Sequence, residues 1–213
     1  MSKRIVILVH ENTRFGYLGR WRGPKQRYFV SQLARHWREE GFQVRYLKDP
    51  ASPIAGDLLF IHIDLSVVPE PYLALAQAYP VSINATVKDI RKSVISRQLV
   101  GPDDSWDGPV IVKTDLNYSG FPERRYAGAA LAGSLSVVKS PGDYPVFQQL
   151  RDVPARHFDN PELVVERFLP EMIDGRYCIR SYNFFGDRED TFLLYGEQPV
   201  VKLGNITRIE NTV

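Results

Sequence analysis

The chain has 213 residues, enough to bury a substantial core as one large domain or two small lobes, of which two lobes fit better. It is 44% apolar and 24% charged, with 27 Lys and Arg against 25 Asp and Glu, which argues against disorder and leaves no strong field for nucleic acid or a membrane surface. Cys178 is the single cysteine, which excludes an internal disulfide and a thiol pair for metal and suits a reducing, cytoplasmic setting.

The opening MSKRIVILVHENTR holds a short apolar run, Ile5 to Val9, too short for a secretory signal or a membrane span. A continuous β-branched run of this kind predicts a strand buried on both faces of a parallel sheet. Pro24 can then open a helix in which Phe29, Val30, Leu33, Ala34 and Trp37 recur at three-to-four spacing, with Gly41 as the stop. Val44 to Leu47 and Leu58 to Ile63 predict the next strands, Pro71 to Tyr79 a short helix, and Val81 to Asn84 a fourth short strand. This succession predicts an α/β fold of the open-sheet type over residues 1–85.

Asp89 to Val100 reads as a linking helix, with Ile90, Val94, Ile95 and Leu99 on one face. Pro102, Asp103, Asp104, Gly108 and Pro109 then break the chain. A second lobe of α+β character is expected over 86–213, with strands at Val110 to Lys113, Leu135 to Lys139, Leu163 to Phe168, Arg176 to Phe185, Thr191 to Tyr195 and Pro199 to Leu203. The chain carries no internal repeat or low-complexity tract.

Three segments of this lobe and the link before it can carry chemistry. In GPVIVKTDLNYSG a strand delivers Lys113 beside a polar loop, where Asn117, Ser119 and Gly120 would let backbone N–H groups approach a phosphate. In NATVKDIRKSVISRQLV, Lys88, Arg91 and Lys92 gather near a helix start, and a second ammonium could share the same anion. In LVVERFLPEMIDGRYCIRSYNFF, backbone groups around Arg167, Phe168 and Leu169 can read an adenine edge, while Glu171 can accept from ribose hydroxyls. Each segment taken alone is equally a strand-end lysine, a solvated basic face or an ordinary buried strand.

Together, in this order, the segments resemble the ATP-grasp superfamily, in particular its peptide- and amide-forming carboxylate–amine ligases. The resemblance covers nearly the whole chain. It implies a Rossmann-like pre-ATP-grasp domain at 1–85 and an ATP-grasp-like, strand-rich nucleotide-binding lobe at 86–213. Lys92 and Lys113 would hold the phosphates, Asn117 to Gly120 the loop over them, and Glu166 to Glu171 the adenine and ribose, with Lys202, Asn205 and Arg208 pointing into the same cleft. It further implies ATP and magnesium as cofactors, a small carboxylate and an amine as substrates, and an acyl phosphate between them, with Arg180 serving the acyl phosphate or the acceptor carboxylate. The family's late Asp/Glu-x-Asn metal motif has no counterpart in the closing VVKLGNITRIENTV, where Glu210 and Asn211 are adjacent and face opposite ways on a strand. A shortened chain, or a non-catalytic nucleotide-binding relic or regulatory subunit, is therefore the alternative, and no metal ligand is assigned.

The loop from Arg14 to Tyr28 mixes Arg14, Arg20, Arg22, Lys25 and Arg27 with Phe15, Tyr17, Trp21 and Tyr28, as single-strand nucleic acid sites do. Its confinement to one loop of a charge-balanced chain argues for a small-molecule substrate loop at the end of the first strand instead. Of the histidines only His62 shares a strand face with a carboxylate, Asp64, which is weak ground for metal; Cys178 fits a buried, inert thiol. The sequence leaves the oligomeric state open, a homodimer included.

Overall fold

The structure, a computed structural model, describes residues 2–13, 29–127, 144–202 and 204–212. It contains helices with both parallel and antiparallel sheets, an α/β protein in the broad sense. The chain divides into two compact units, one of Met1–Val94 with Phe121–Leu131 and the other of Ile95–Gly120 with Ala132–Val213.

The first unit is built on four parallel strands, β1 (Arg4–Val9), β2 (Gln43–Leu47), β3 (Leu58–His62) and β4 (Val81–Ile83), in the order β2-β1-β3-β4. The run Ile5 to Val9 takes the inner position because it is apolar at every residue, and Val6, Ile7 and Leu8 are wholly buried. Alternate residues feed two cores. Val6, Leu8, Leu59 and Ile61 meet Tyr72, Leu75 and Tyr79 on one side. Ile5, Ile7, Val9 and Phe60 meet Val30 and Ala34 on the other. Full burial of each aliphatic side chain contributes about 1.5–3 kcal/mol, so this strand anchors the unit.

Helix α1 (Phe29–Glu39) supplies Val30 and Ala34 and ends where Gly41 takes φ 87. There the Gly41 N–H donates to Arg38 O and the Phe42 N–H to Trp37 O, the paired closure that uses the last free carbonyls of a helix. Helix α2 (Glu70–Ala74) has Pro71 in its first turn and tightens into a 3-10 turn, Leu75–Ala78, rather than running as one helix to Tyr79.

The stretch expected as a helix over Asp89 to Val100 keeps a single turn, α3 (Lys92–Ile95). Both flanks are drawn into extended pairing: Asp89 bridges Val67, and Leu99 bridges Glu166. Asp89 also holds the Arg91 side chain through both carboxylate oxygens, a local closure that competes with helical hydrogen bonding. Helix α4 (Phe121–Ala127) belongs to the first unit, where Glu123 Oε1 accepts from the Ser66 N–H at 2.7 Å.

The second unit holds two antiparallel sheets. One runs β6 (Val146–Phe147), β5 (Val110–Thr114), β7 (Leu163–Arg167), with helix α5 (Ala155–Phe158) preceding β7. The other runs β11 (Ile206–Asn211), β10 (Arg188–Gly196), β9 (Arg176–Phe185), β8 (Glu171–Ile173). Asp174 and Gly175, both at positive φ, make the two-residue turn between β8 and β9.

Of the strand expected over Pro199 to Leu203, the described residues Pro199 to Lys202 form instead a loop that Asn205 ties: its Oδ1 accepts from the Lys202 N–H and its Nδ2 donates to Val200 O, each at 2.8 Å. The strand forms after that loop, as β11. The expected strand Leu135 to Lys139, the start of α1 near Pro24, and the basic aromatic loop Arg14 to Tyr28 lie outside the described residues. Among the described residues no helix is long and apolar enough to cross a membrane.

Candidate nucleotide site

The faces of the sheet β6-β5-β7 follow from strand alternation. Val110 and Val112 point to one side, where they join Leu163 and Val165 with Val100, Leu150 and Val153 in a closed core. Ile111 and Lys113 therefore share the other side. Ile111 lies opposite Glu166 across the β5–β7 pair, and Lys113 opposite Val164. That register brings the Lys113 ammonium diagonally onto Glu166, Nζ to Oε2 at 2.5 Å. Glu166 is buried, and burial of a carboxylate is tolerated because the lysine is bound to it.

Lys202 adds a second cation. The Asn205-tied loop seats Val200 against Ile111, Tyr144 and Phe168, and Lys202 follows two residues later. Its side chain is exposed, yet partial desolvation, and then the charge of Lys113, hold its ammonium below the ordinary lysine value; Glu166 pulls the other way. Lys202 thus lies in electrostatic reach of Lys113 and of Glu166, while Glu166 is bonded to Lys113. Two ammoniums against one carboxylate leave an excess positive charge near the apolar cluster of Ile111, Tyr144 and Val200.

The loop after β5 is strained. Tyr118 (φ 47), Ser119 (φ 57) and Gly120 (φ 67) are consecutive left-handed residues, and each of the two side-chain-bearing ones costs roughly 1 kcal/mol or more. Ser119 is buried, and its hydroxyl pairs with the Tyr144 phenol at 3.1 Å, which holds the turn in place. Asn117 opens this turn.

The strand exit beyond β7 is partly spoken for. The Arg167 N–H donates to Gln98 O and the Phe168 N–H to Pro109 O, both at 2.8 Å. The Arg167 guanidinium lies over the Trp106 ring at 5.1 Å, while Phe168 turns into the Ile111 cluster and Leu169 is exposed. Glu171 and Arg180 meet each other across β8 and β9 in a two-pronged ion pair, Nη2–Oε1 2.5 Å and Nε–Oε2 3.0 Å. The Arg180 hydrogen bonds hold the Glu171 carboxyl below the usual range.

Of the residues singled out in the sequence, the structure therefore joins Lys113 to Glu166 with Lys202 in electrostatic reach, pairs Glu171 with Arg180, and sets Asn117 to Gly120 in one turn at the end of β5. Lys92, in α3, belongs to the first unit. Tyr144 and Val200 escape the sequence reading; no local motif marks them, since their role arises from contacts with Ser119 and Ile111.

His10 carries no motif either. At the carboxyl end of β1 its ring stacks on Tyr126 at 4.3 Å and on Tyr72 at 5.8 Å, and its Nδ1 accepts from the Asn12 N–H. Burial holds its imidazole below the ordinary value, with Glu11 opposing. Desolvation does the same to His62, with Asp64 opposing. Cys178 is buried in β9, and burial, then the Glu171 charge, raises its thiol pKa. A cavity of about 280 Å³ lies along β7, lined by Leu99, His157, Phe158 and Leu163 among others. It contains no cation for a phosphate, and neither Lys113 nor Lys202 reaches its wall.

Three described carboxylates of this unit are already engaged by cations. Glu166 is bound to Lys113, Glu171 to Arg180, and Glu210 to Arg208 and Tyr195. Among the described residues no three His, Cys, Asp or Glu side chains gather to hold a metal ion. No family model, curated protein or solved structure matches the chain.

Proposed function

We propose that the second unit binds the polyphosphate of ATP at Lys113 and Lys202, as an ATP-grasp-like nucleotide lobe. The observation that supports this reading is the Lys113–Glu166 ion pair with Lys202 in electrostatic reach of both, so that an added anion would relieve the repulsion between the two lysines. A unit charge pair at 4 Å is worth about 4 kcal/mol at an effective dielectric of 20, before desolvation. Asn117, Ser119 and Gly120 would complete the phosphate contacts. With the Arg167 and Phe168 amides already engaged, an adenine edge would be read by groups from Leu169 onward, and Glu171 would reach the ribose only by loosening from Arg180.

As a ligase of the carboxylate–amine class, the protein would let a substrate carboxylate oxygen attack the γ-phosphorus, with ADP leaving. An amine nitrogen would then attack the acyl carbon, losing a proton as phosphate departs. Arg180 would face the acyl phosphate or the acceptor carboxylate. Glu166 and Glu171 are already bound to Lys113 and Arg180 and do not fit magnesium, and that misfit favours a second reading: a nucleotide-binding unit without ligase turnover. A small-molecule pair rather than nucleic acid suits the balanced charge, and a cytoplasmic setting suits the lone Cys178 thiol.

Titration with a fluorescent ATP analogue tests the site. Lys113→Ala and Lys202→Ala should each weaken binding tenfold or more, with Lys48→Ala in the first unit unchanged; equal dissociation constants for all four proteins would remove the site from this reading. Binding without ADP release in the presence of carboxylates and amines would select the second reading.

A further inference from the structure

Among the described residues strand β11 is an edge whose one neighbour in the sheet is β10, whereas the opposite edge, β8, is only three residues long and follows Pro170. Natural edges are blunted by brevity, proline, charged side chains (lysine above all) or bulges. β11 has six residues, Ile206–Asn211, with no proline and no lysine, and its two charges are of opposite sign.

The face beside it is apolar and open. Ile179, Leu194 and Ile209 stand in one cross-strand row. Ile209 is 62% exposed and Ile179 39%. The other face of the sheet carries the buried cluster of Cys178, Leu193 and Tyr195, together with Arg208 and Glu210 near its margin. The side chains of Arg208 and Glu210 remain 55% and 40% exposed although they touch each other.

We propose that β11 pairs antiparallel with β11 of a second copy about a two-fold axis at Ile209. In that register Arg208 faces the partner's Glu210 and Glu210 faces the partner's Arg208, while Ile209 meets its own equivalent. Two opposite-charge cross-strand pairs and one apolar pair then form at once. The row Ile179, Leu194, Ile209 runs on into its mirror, so the apolar residues become six in line on an eight-stranded sheet. An unrelated strand has no reason to match this alternation; a second β11 matches it by symmetry. The proposal is independent of the nucleotide reading.

Sedimentation velocity on the full chain tests it. The parent should dimerise, and Arg208→Glu and Glu210→Arg should each sediment as monomers, with dissociation constants at least tenfold weaker, because each places like charges opposite one another. An equimolar mixture of the two variants should dimerise again. There the glutamate substituted at position 208 of one chain faces the arginine substituted at position 210 of the other, and the unchanged Glu210 of the first faces the unchanged Arg208 of the second, so opposite charges meet at both pairs. Ile209→Lys, which leaves the charged pair intact, should also be monomeric. Unchanged far-ultraviolet circular dichroism confirms that the variants fold. A monomeric parent, single variants that still dimerise, or a mixture that stays monomeric would each overturn the pairing.

Discussion

Glu166 sets how Lys113 behaves before any ligand arrives. A buried carboxylate stripped of its partner keeps its desolvation cost and loses the compensation. Lys113→Ala should therefore destabilise the protein by about 2 kcal/mol, and adding Glu166→Gln should recover most of that loss; urea unfolding of both variants measures it. A second residue-scale expectation concerns acid. His10 and His62 both titrate below the ordinary value of 6.5, with desolvation the leading cause. Well above pH 6.5 these imidazoles are neutral in folded and unfolded chains alike, and nothing is lost. Below it the unfolded chain takes up protons that the folded chain resists, so stability falls as pH drops through 6.5 and levels off beneath the depressed folded values. The urea midpoint should drop less between about pH 7.5 and 5 in His10→Gln with His62→Gln than in the parent. An equal drop would mean that these rings do not drive the acid slope.

At the scale of elements, Gly41 isolates the backbone effect. Nothing lies within 4 Å of a side chain added there, so Gly41→Ala meets only the penalty of φ 87. The cost should be about 1 kcal/mol, with Gly41→Asn costing less, as read from the urea midpoint. This stop, like strand β1, was legible because its cause is local: a continuous apolar run makes a central strand, and a glycine after a periodic stretch ends a helix. The stretch 89–100 shows where local pattern fails. Its apolar spacing reads as a helix, but pairing of Asp89 with Val67 and of Leu99 with Glu166 takes its flanks, and neither partner is visible in the segment itself. The 199–203 stretch fails for a related reason, since the Asn205 side chain satisfies the backbone that a strand would have used. In the site, Lys113 stood out as a lysine at a strand end beside a turn. Its pairing with Glu166, 53 residues away, depends on strand register, and the pairing of Glu171 with Arg180 depends on a hairpin; neither is written in a short motif.

At the scale of the molecule, the chain joins a parallel-sheet unit to a unit with two antiparallel sheets, and the candidate chemistry falls on the second. The open apolar row of β9, β10 and β11 belongs to that same unit, on the sheet that does not carry Lys113. The most direct test of the central claim is the thermal midpoint with saturating non-hydrolysable ATP analogue, for the parent and for Lys113→Ala. At roughly a hundred times its dissociation constant the ligand should add about 2.7 kcal/mol, which raises the parent's midpoint by roughly 5–10 °C. A nucleotide site at Lys113 predicts that rise in the parent and its loss in Lys113→Ala; an unmoved midpoint in the parent at saturating analogue would contradict it.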